Sequence, residues 1–291
     1  MFKGSFVALI TPFRNGAVDE TAFQEHVAWQ IGQGTHGLVP IGTTGECPAL
    51  EEAEQERLIA LTAEVAKGRR PVIAGTGFNS TTHTIAATRI AKKAGADAAL
   101  IVCPYYNKPT QEGLYQHFKT VHDAVDLPIV IYNIPGRSAV DMSNATLARL
   151  AKLPNIVGVK DATNDLARPL RMRVEIEGEF SLMSGEDATA VAYLAQGGDG
   201  VISVTANVAP GLCSEMHEAW QKGDLATVRR INQRLIPLHD ALFVETSPAP
   251  VKFAASLLGR CTAEVRQPLW HTTPETQEKV RAAMRGAGLI N

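Results

Sequence analysis

The chain has 291 residues, 45% hydrophobic and 20% charged, which suits a soluble globular protein built as one large barrel or two medium domains. A formal net charge of -2 gives no basic excess for nucleic acid or an anionic membrane surface, and no apolar stretch is long enough to span a bilayer or form a signal-peptide core. Cys47, Cys103, Cys213 and Cys261 lie too far apart for a C-x-x-C zinc or redox pair, so reduced thiols in a cytoplasmic protein are expected.

Residues 6–11 read as a β-rich run stopped by Pro12. Asp19 precedes Phe23, Val27 and Ile31, spaced four apart, which predicts a capped helix ending at Gly34. Residues 37–42 are the next apolar run, with Pro40 a mild objection to a central strand. Leu58, Leu61, Thr62 and Val65 mark a second helix that stops near Gly68. Strands are then predicted at 71–76, 98–103, 128–133, 156–160, 180–184 and 200–204, with helices between them, among them 85–94, 114–125 and 144–151. The runs are apolar throughout rather than alternating, as parallel strands covered on both faces should be. About eight such units make a (β/α)8 barrel the expected α/β fold. An open doubly wound sheet would carry a G-x-G-x-x-G turn after the first strand, and Thr11-Pro12-Phe13-Arg14 is nothing like one.

From Leu225 onward the strand signals stop. Val228, Ile231, Leu235, Leu238 and Leu242 follow a helical spacing with Pro237 expected to kink it, and two further helices follow. The expected division is a catalytic barrel over 1–224 and a small all-helical region over 225–291.

Reactive groups in such barrels sit at the C-terminal ends of strands. The stretch Ile156-Val157-Gly158-Val159-Lys160-Asp161 runs an apolar strand straight into a lysine. An amine held against apolar walls gives up its proton more readily, and the neutral amine is the form that attacks a carbonyl. The competing reading is a lysine that snorkels to the surface past the strand end. Gly42-Thr43-Thr44-Gly45-Glu46 places two hydroxyls between glycines, either a backbone cradle for a carboxylate or phosphate or a helix start capped by Thr43 or Thr44. Tyr105 and Tyr106 can relay protons or simply pack. Arg137 follows a Pro-Gly turn and suits bidentate carboxylate binding, unless it is an ordinary surface arginine. No spacing of His, Asp or Glu suggests a metal, and His117 and His122 are expected to face solvent on a helix. No G-x-S-x-G elbow is present. Gly197-Gly198-Asp199-Gly200 reads as a tight helix–strand turn rather than a phosphate loop. Lys252 is the one other lysine considered as a nucleophile, and its place on a helix beyond the strands ranks it well below Lys160.

Together, Gly42-Thr43-Thr44-Gly45-Glu46, Pro104-Tyr105-Tyr106-Asn107-Lys108-Pro109-Thr110-Gln111, Tyr132-Asn133-Ile134-Pro135-Gly136-Arg137 and Gly158-Val159-Lys160-Asp161 resemble dihydrodipicolinate synthases. Thr11-Pro12-Phe13 and Glu245-Thr246-Ser247-Pro248-Ala249-Pro250-Val251-Lys252 fit the same pattern, so the resemblance covers nearly the whole chain. It implies that Lys160 forms a Schiff base with pyruvate, whose enamine attacks L-aspartate 4-semialdehyde on the diaminopimelate route to lysine. It further implies Tyr132 as the main acid/base, linked through Thr43 to a Tyr106 that reaches in from a neighbouring subunit. Thr44 and the backbone near Gly185 and Ile202 would hold pyruvate, and Arg137 the semialdehyde carboxylate. No cofactor is implied, and the assembly would be a homotetramer built from two tight dimers. N-acetylneuraminate lyases and 2-keto-3-deoxysugar acid aldolases share the Gly-Thr-Thr-Gly-Glu turn and the lysine strand and are the alternative, but they need polar residues where Arg137 stands. A barrel that binds without catalysing is the remote one. Lysine-inhibited members of the family carry an acid where this chain has His83, with Cys47, Pro48, Glu52 and Gln55 in the first neighbourhood and Asn79 and Tyr105 retained, so weak or absent feedback is expected.

Overall fold

Apolar runs become strands and the periodic stretches between them become helices along the whole chain, residues 1–291 of a computed structural model. The strands are β1 (Gly4–Ala8), β2 (Phe13–Arg14), β3 (Ala17–Val18), β4 (Gly37–Val39), β5 (Ile73–Gly75), β6 (Ala98–Val102), β7 (Ile129–Asn133), β8 (Ile156–Asp161), β9 (Ser181–Ser184) and β10 (Gly200–Ser203). The helices are α1 (Glu20–Gly32), α2 (Glu52–Ala66), α3 (Thr81–Lys93), α4 (Gln111–Ala124), α5 (Pro135–Ser138), α6 (Asn144–Leu150), α7 (Arg168–Glu175), α8 (Ala190–Ala195), α9 (Pro210–Gln221), α10 (Leu225–Ala241), α11 (Ala249–Leu257) and α12 (Pro274–Gly286). With the hairpin β2–β3 set aside, strand and helix alternate in the order expected of a (β/α)8 barrel.

Met1–Lys3 and Val72–Ile202 form one compact unit. Within it β5 pairs with β6, β6 with β7, β7 with β8, β8 with β9 and β9 with β10, all parallel. Its core gathers Ile101, Phe118, Ile131, Leu147, Val159 and Leu182. Such parallel strands are buried on both faces, and β7 is buried at all five positions. A methyl group on Gly158 would stand 2.7 Å from the Ser181 carbonyl oxygen, so only glycine lets β8 approach β9 this closely.

One irregularity in this unit matters for chemistry. The register between β7 and β8 steps from Ile129↔Ile156 to Val130↔Gly158, so Val157 is the extra residue. The step brings Tyr132 opposite Lys160 and Asn133 opposite Asp161. Without it Lys160 would face Asn133, and side chains would exchange faces.

Gly4–Pro71 and Ser203–Asn291 form the second unit. Here β1 and β4 pair in parallel. Asp19 caps α1 as its sequence suggests, accepting the N–H of Ala22. The buried stripe of α1 is Phe23, His26, Val27 and Gln30, with Ile31 only half-buried. Two polar side chains belong to that stripe because each has a partner: His26 Nε2 lies 3.1 Å from Asn207 Oδ1, and Gln30 Nε2 donates to the Ala206 carbonyl at 2.8 Å. After Pro12 the chain makes the hairpin β2–β3, absent from the sequence reading. Asn15 and Gly16 turn it, with φ of 54° and 81°. Two positive φ values in succession belong to a type I′ turn, the reason Asn-Gly signals a hairpin. Helix α10 runs through Pro237 to Ala241, so the proline removes one N–H from the ladder without ending the helix.

Candidate active site

Lys160 is the penultimate residue of β8, with 5% of its surface exposed. It does not snorkel out. Its Nζ lies 4.2 Å from the ring centroid of Tyr132, which is also buried. The register places both side chains on one face of the sheet, with Met183 of β9 beside Lys160. A buried amine and a phenol ring are thus held together by two adjacent strands.

The opposite face of the same strand ends carries a polar lock that the sequence reading did not include. Asp161 is buried, and one oxygen accepts the Arg168 Nε–H at 2.8 Å. Its other oxygen accepts from the backbone N–H of Thr163 at 2.9 Å and the Thr163 hydroxyl at 2.6 Å. Arg168 Nη2 also donates to the Met142 carbonyl at 3.0 Å. Asn133 continues the network, donating to Asp141 Oδ1 at 2.8 Å and accepting the Met142 N–H at 3.0 Å. Every oxygen of Asp161 is occupied, so it serves as a fastener rather than as an acid or base. Breaking such a pair from one side would cost about 3–5 kcal/mol, because the other charge is left buried.

Gly185 follows β9, and its N–H donates to the Asp161 carbonyl at 2.6 Å. An added methyl group would stand 2.7 Å from the Ala162 side chain, so the position requires glycine. Ile202 is fully buried on β10. Arg137 lies exposed on the single turn α5, which Pro135 starts. Glu186 is a further member that carries no signal in the sequence. Burial, reinforced by Asp187, holds its carboxyl above the usual value, and Lys160 and Arg137 both oppose that rise. Lys160 and Arg137 therefore share an electrostatic neighbour.

Tyr106 stands apart from these groups. It is 88% exposed, on a loop where its φ is 72°. A bulky side chain in the left-handed region is uncommon and marks a constrained loop. The loop is fastened by Asn107, whose side-chain amide donates to the Asn79 carbonyl at 2.8 Å.

Thr43 and Thr44 belong to the other compact unit, on the turn after β4. Neither caps a helix. The turn closes on itself through Gly45 N–H to the Gly42 carbonyl, Glu46 N–H to the Thr43 carbonyl and Cys47 N–H to the Gly42 carbonyl. Thr44 is buried and Thr43 half-buried.

Three other sequence expectations meet the structure here. His117 does not face solvent: it is buried, its Nδ1 lies 2.9 Å from Thr81 Oγ1, and burial pushes its imidazolium down to about 4. The face of α4 formed by Leu114, His117, Phe118 and Val121 is the core face, and His117 belongs to it. Residues 197–200 do form a tight turn: Gly198 N–H donates to the Tyr193 carbonyl at 3.0 Å, and Asp199 is occupied by the Leu182 N–H and by Arg173. Lys252 is fully buried, and its Nζ donates to Glu46 Oε1 at 2.7 Å. Burial lowers its ammonium pKa, and Glu46 opposes the fall.

The sequence pattern of the dihydrodipicolinate synthetase family matches residues 1–287. A 4-hydroxy-tetrahydrodipicolinate synthase of Rhodospirillum centenum is 67% identical over 290 residues, spanning 100% of each chain. The crystal structure of dihydrodipicolinate synthase from Aquifex aeolicus overlays with a TM-score of 0.97 at 44% identity and covers 99% of each chain. A chloride-inhibited dihydrodipicolinate synthase from Acinetobacter baumannii, complexed with pyruvate, overlays with a TM-score of 0.97 at 45% identity over 100% of each chain. With similarity over this length, the fold class is that of these enzymes, a (β/α)8 barrel with added C-terminal helices.

Proposed function

Since the chain belongs to the dihydrodipicolinate synthetase family, we infer that Lys160 is the amine through which it condenses pyruvate with L-aspartate 4-semialdehyde. The activity is that of a 4-hydroxy-tetrahydrodipicolinate synthase, a Schiff-base-forming lyase of lysine biosynthesis. The observation that carries the residue assignment is the buried Lys160 amine 4.2 Å from the Tyr132 ring.

The neutral amine adds to the keto carbon of pyruvate, and Tyr132 gives a proton to the departing hydroxyl, which leaves as water. The resulting iminium draws electrons from the methyl carbon, so a methyl proton is lost and an enamine forms. That carbon attacks the aldehyde of the second substrate, whose oxygen becomes the product hydroxyl. The amine of the second substrate then displaces Lys160, which closes the ring and frees the enzyme. Thr44, with backbone near Gly185 and Ile202, holds the pyruvate carboxylate, and Arg137 holds the carboxylate of the semialdehyde. Thr43 passes protons between Tyr132 and Tyr106. The imine itself supplies the electron sink. The catalytic barrel is assigned to 1–224 and the helical region to 225–291, in keeping with the end of the last strand at Ser203.

Tyr106 completes the site of a second copy of the chain, in a dimer that pairs into a homotetramer. Its 88% exposure on a fastened loop supports this reading. Mixing Tyr106→Phe with Lys160→Ala subunits tests it. Each mixed dimer then has one site with both defects and one intact site, so random pairing should restore about a quarter of wild-type activity. Mixtures as inactive as their components would place Tyr106 in its own subunit's site.

Feedback by lysine is expected to be weak. His83 sets its ring edge-on to Phe78 at 6.4 Å and supplies no anion for a ligand ammonium. The measurement is initial rate against added lysine, and inhibition at sub-millimolar lysine would contradict it. A cytoplasmic location is proposed on the four free cysteines, and no helix is long and apolar enough to cross a membrane.

A further inference from the structure

Glu46 closes the turn that carries Thr43 and Thr44, and its backbone sits in the left-handed region with φ of 58°. A residue with a long side chain stays there only when its surroundings hold it. Both of its carboxylate oxygens are held from the C-terminal part of the chain. Oε1 accepts from Lys252 Nζ on α11 at 2.7 Å, and neither side chain has any exposed surface. Oε2 accepts the backbone N–H of Arg266 at 2.9 Å. The Arg266 side chain then grips Glu54 through two bonds of 2.5 and 2.6 Å and the Ala49 carbonyl at 2.9 Å. Both cations lie over the buried Phe13 ring, Lys252 at 4.1 Å and Arg266 at 4.5 Å. Just before Glu46, the Gly45 carbonyl accepts the Thr11 hydroxyl at 2.7 Å.

A fully buried ion pair is a poor source of stability, because apolar side chains of the same volume do as well or better. What it supplies is direction. The turn is tied internally from Gly42 to Cys47, so wherever Glu46 is fixed, Thr43 and Thr44 follow. We propose that Glu46 and Lys252, steadied by Arg266, are positioning residues that set Thr43 and Thr44 for pyruvate binding and proton relay. The C-terminal helical region thereby takes part in the reaction without touching substrate. This rests on the roles given above to Thr43 and Thr44.

The test is the double variant E46Q/K252M, which removes both charges while shortening only the lysine side chain, by one atom. The single change Lys252→Met leaves a buried carboxylate unpaired and can fail to fold, so the neutral pair is the informative one. KM for each substrate, kcat and the thermal midpoint are measured beside Thr43→Val and Thr44→Val. The expected result is a midpoint near wild type with kcat/KM for pyruvate lowered about 10–100-fold, the scale of a small misplacement of reacting groups. KM for the semialdehyde should hold to within about twofold, since Arg137 rather than the turn binds it. A purely structural pair would lower the midpoint and leave this split between substrates absent. Wild-type kinetics in a folded double variant, alongside impaired threonine variants, would overturn the inference alone. Failure of the double variant to fold would also overturn it, by assigning the pair to stability. Unimpaired threonine variants would instead remove the reading of the turn on which the inference rests.

Discussion

Replacing Lys160 with alanine should reduce turnover by on the order of 10⁵-fold or more, the scale expected when a covalent nucleophile is removed. The reasoning is geometric. The imine needs an amine that is buried, close to an acid and at the mouth of the strands. Lys160 is buried, at 5% exposure, near a strand end and 4.2 Å from the ring of Tyr132, the acid proposed above. Lys252 is buried too, but its Nζ is committed to Glu46 at 2.7 Å. A side chain fully buried and hydrogen-bonded to Glu46 is not presented to a substrate carbonyl. A parallel Lys160→Met variant keeps all but one atom of the side chain's length and separates loss of the amine from loss of packing. Both variants should fold, and both should be inactive in a coupled assay with pyruvate and aspartate semialdehyde. Turnover above a hundredth of wild type in either would remove Lys160 from the role.

Tyr132→Phe should slow turnover by about 10²–10⁴-fold, the usual worth of a positioned acid/base. This substitution leaves the ring in place, so the contact with Lys160 and the pairing of β7 with β8 are kept. Only the hydroxyl is lost. Imine formation with pyruvate should therefore still occur, more slowly, while the complete cycle is retarded at each proton transfer. Rapid-quench trapping of the imine with borohydride distinguishes these steps. Wild-type rates for both would exclude Tyr132 from the proton path.

The strands were legible because both faces of a parallel sheet are covered, which leaves a continuous apolar run in the sequence. Lys160 stood out for the same reason, as a charged residue ending such a run. What could not be read was register. The extra residue at Val157 decides that Lys160 meets Tyr132 rather than Asn133, and nothing local to Val157 announces it. The fastening of Asp161 by Arg168 and of Glu46 by Lys252 was hidden for a related cause. Charges are normally assigned to the surface, and only a distant partner shows that one is buried. His117 and His26 repeat the lesson on helices, where a polar letter on the core face looks like solvent until its hydrogen bond is seen. The hairpin is different: Asn15-Gly16 carries a local turn signal, but strands of two residues on either side are too short to show an apolar pattern. Tyr106 was recognisable by motif, yet its exposure could be learned only from the fold.

The most direct measurement is peptide mapping by mass spectrometry after the wild-type protein is treated with pyruvate and borohydride. A reduced pyruvate adduct is expected on Lys160 and on no other lysine. An adduct on Lys252 or elsewhere, or a protein that turns over substrate yet traps no adduct at all, would contradict the role given to Lys160.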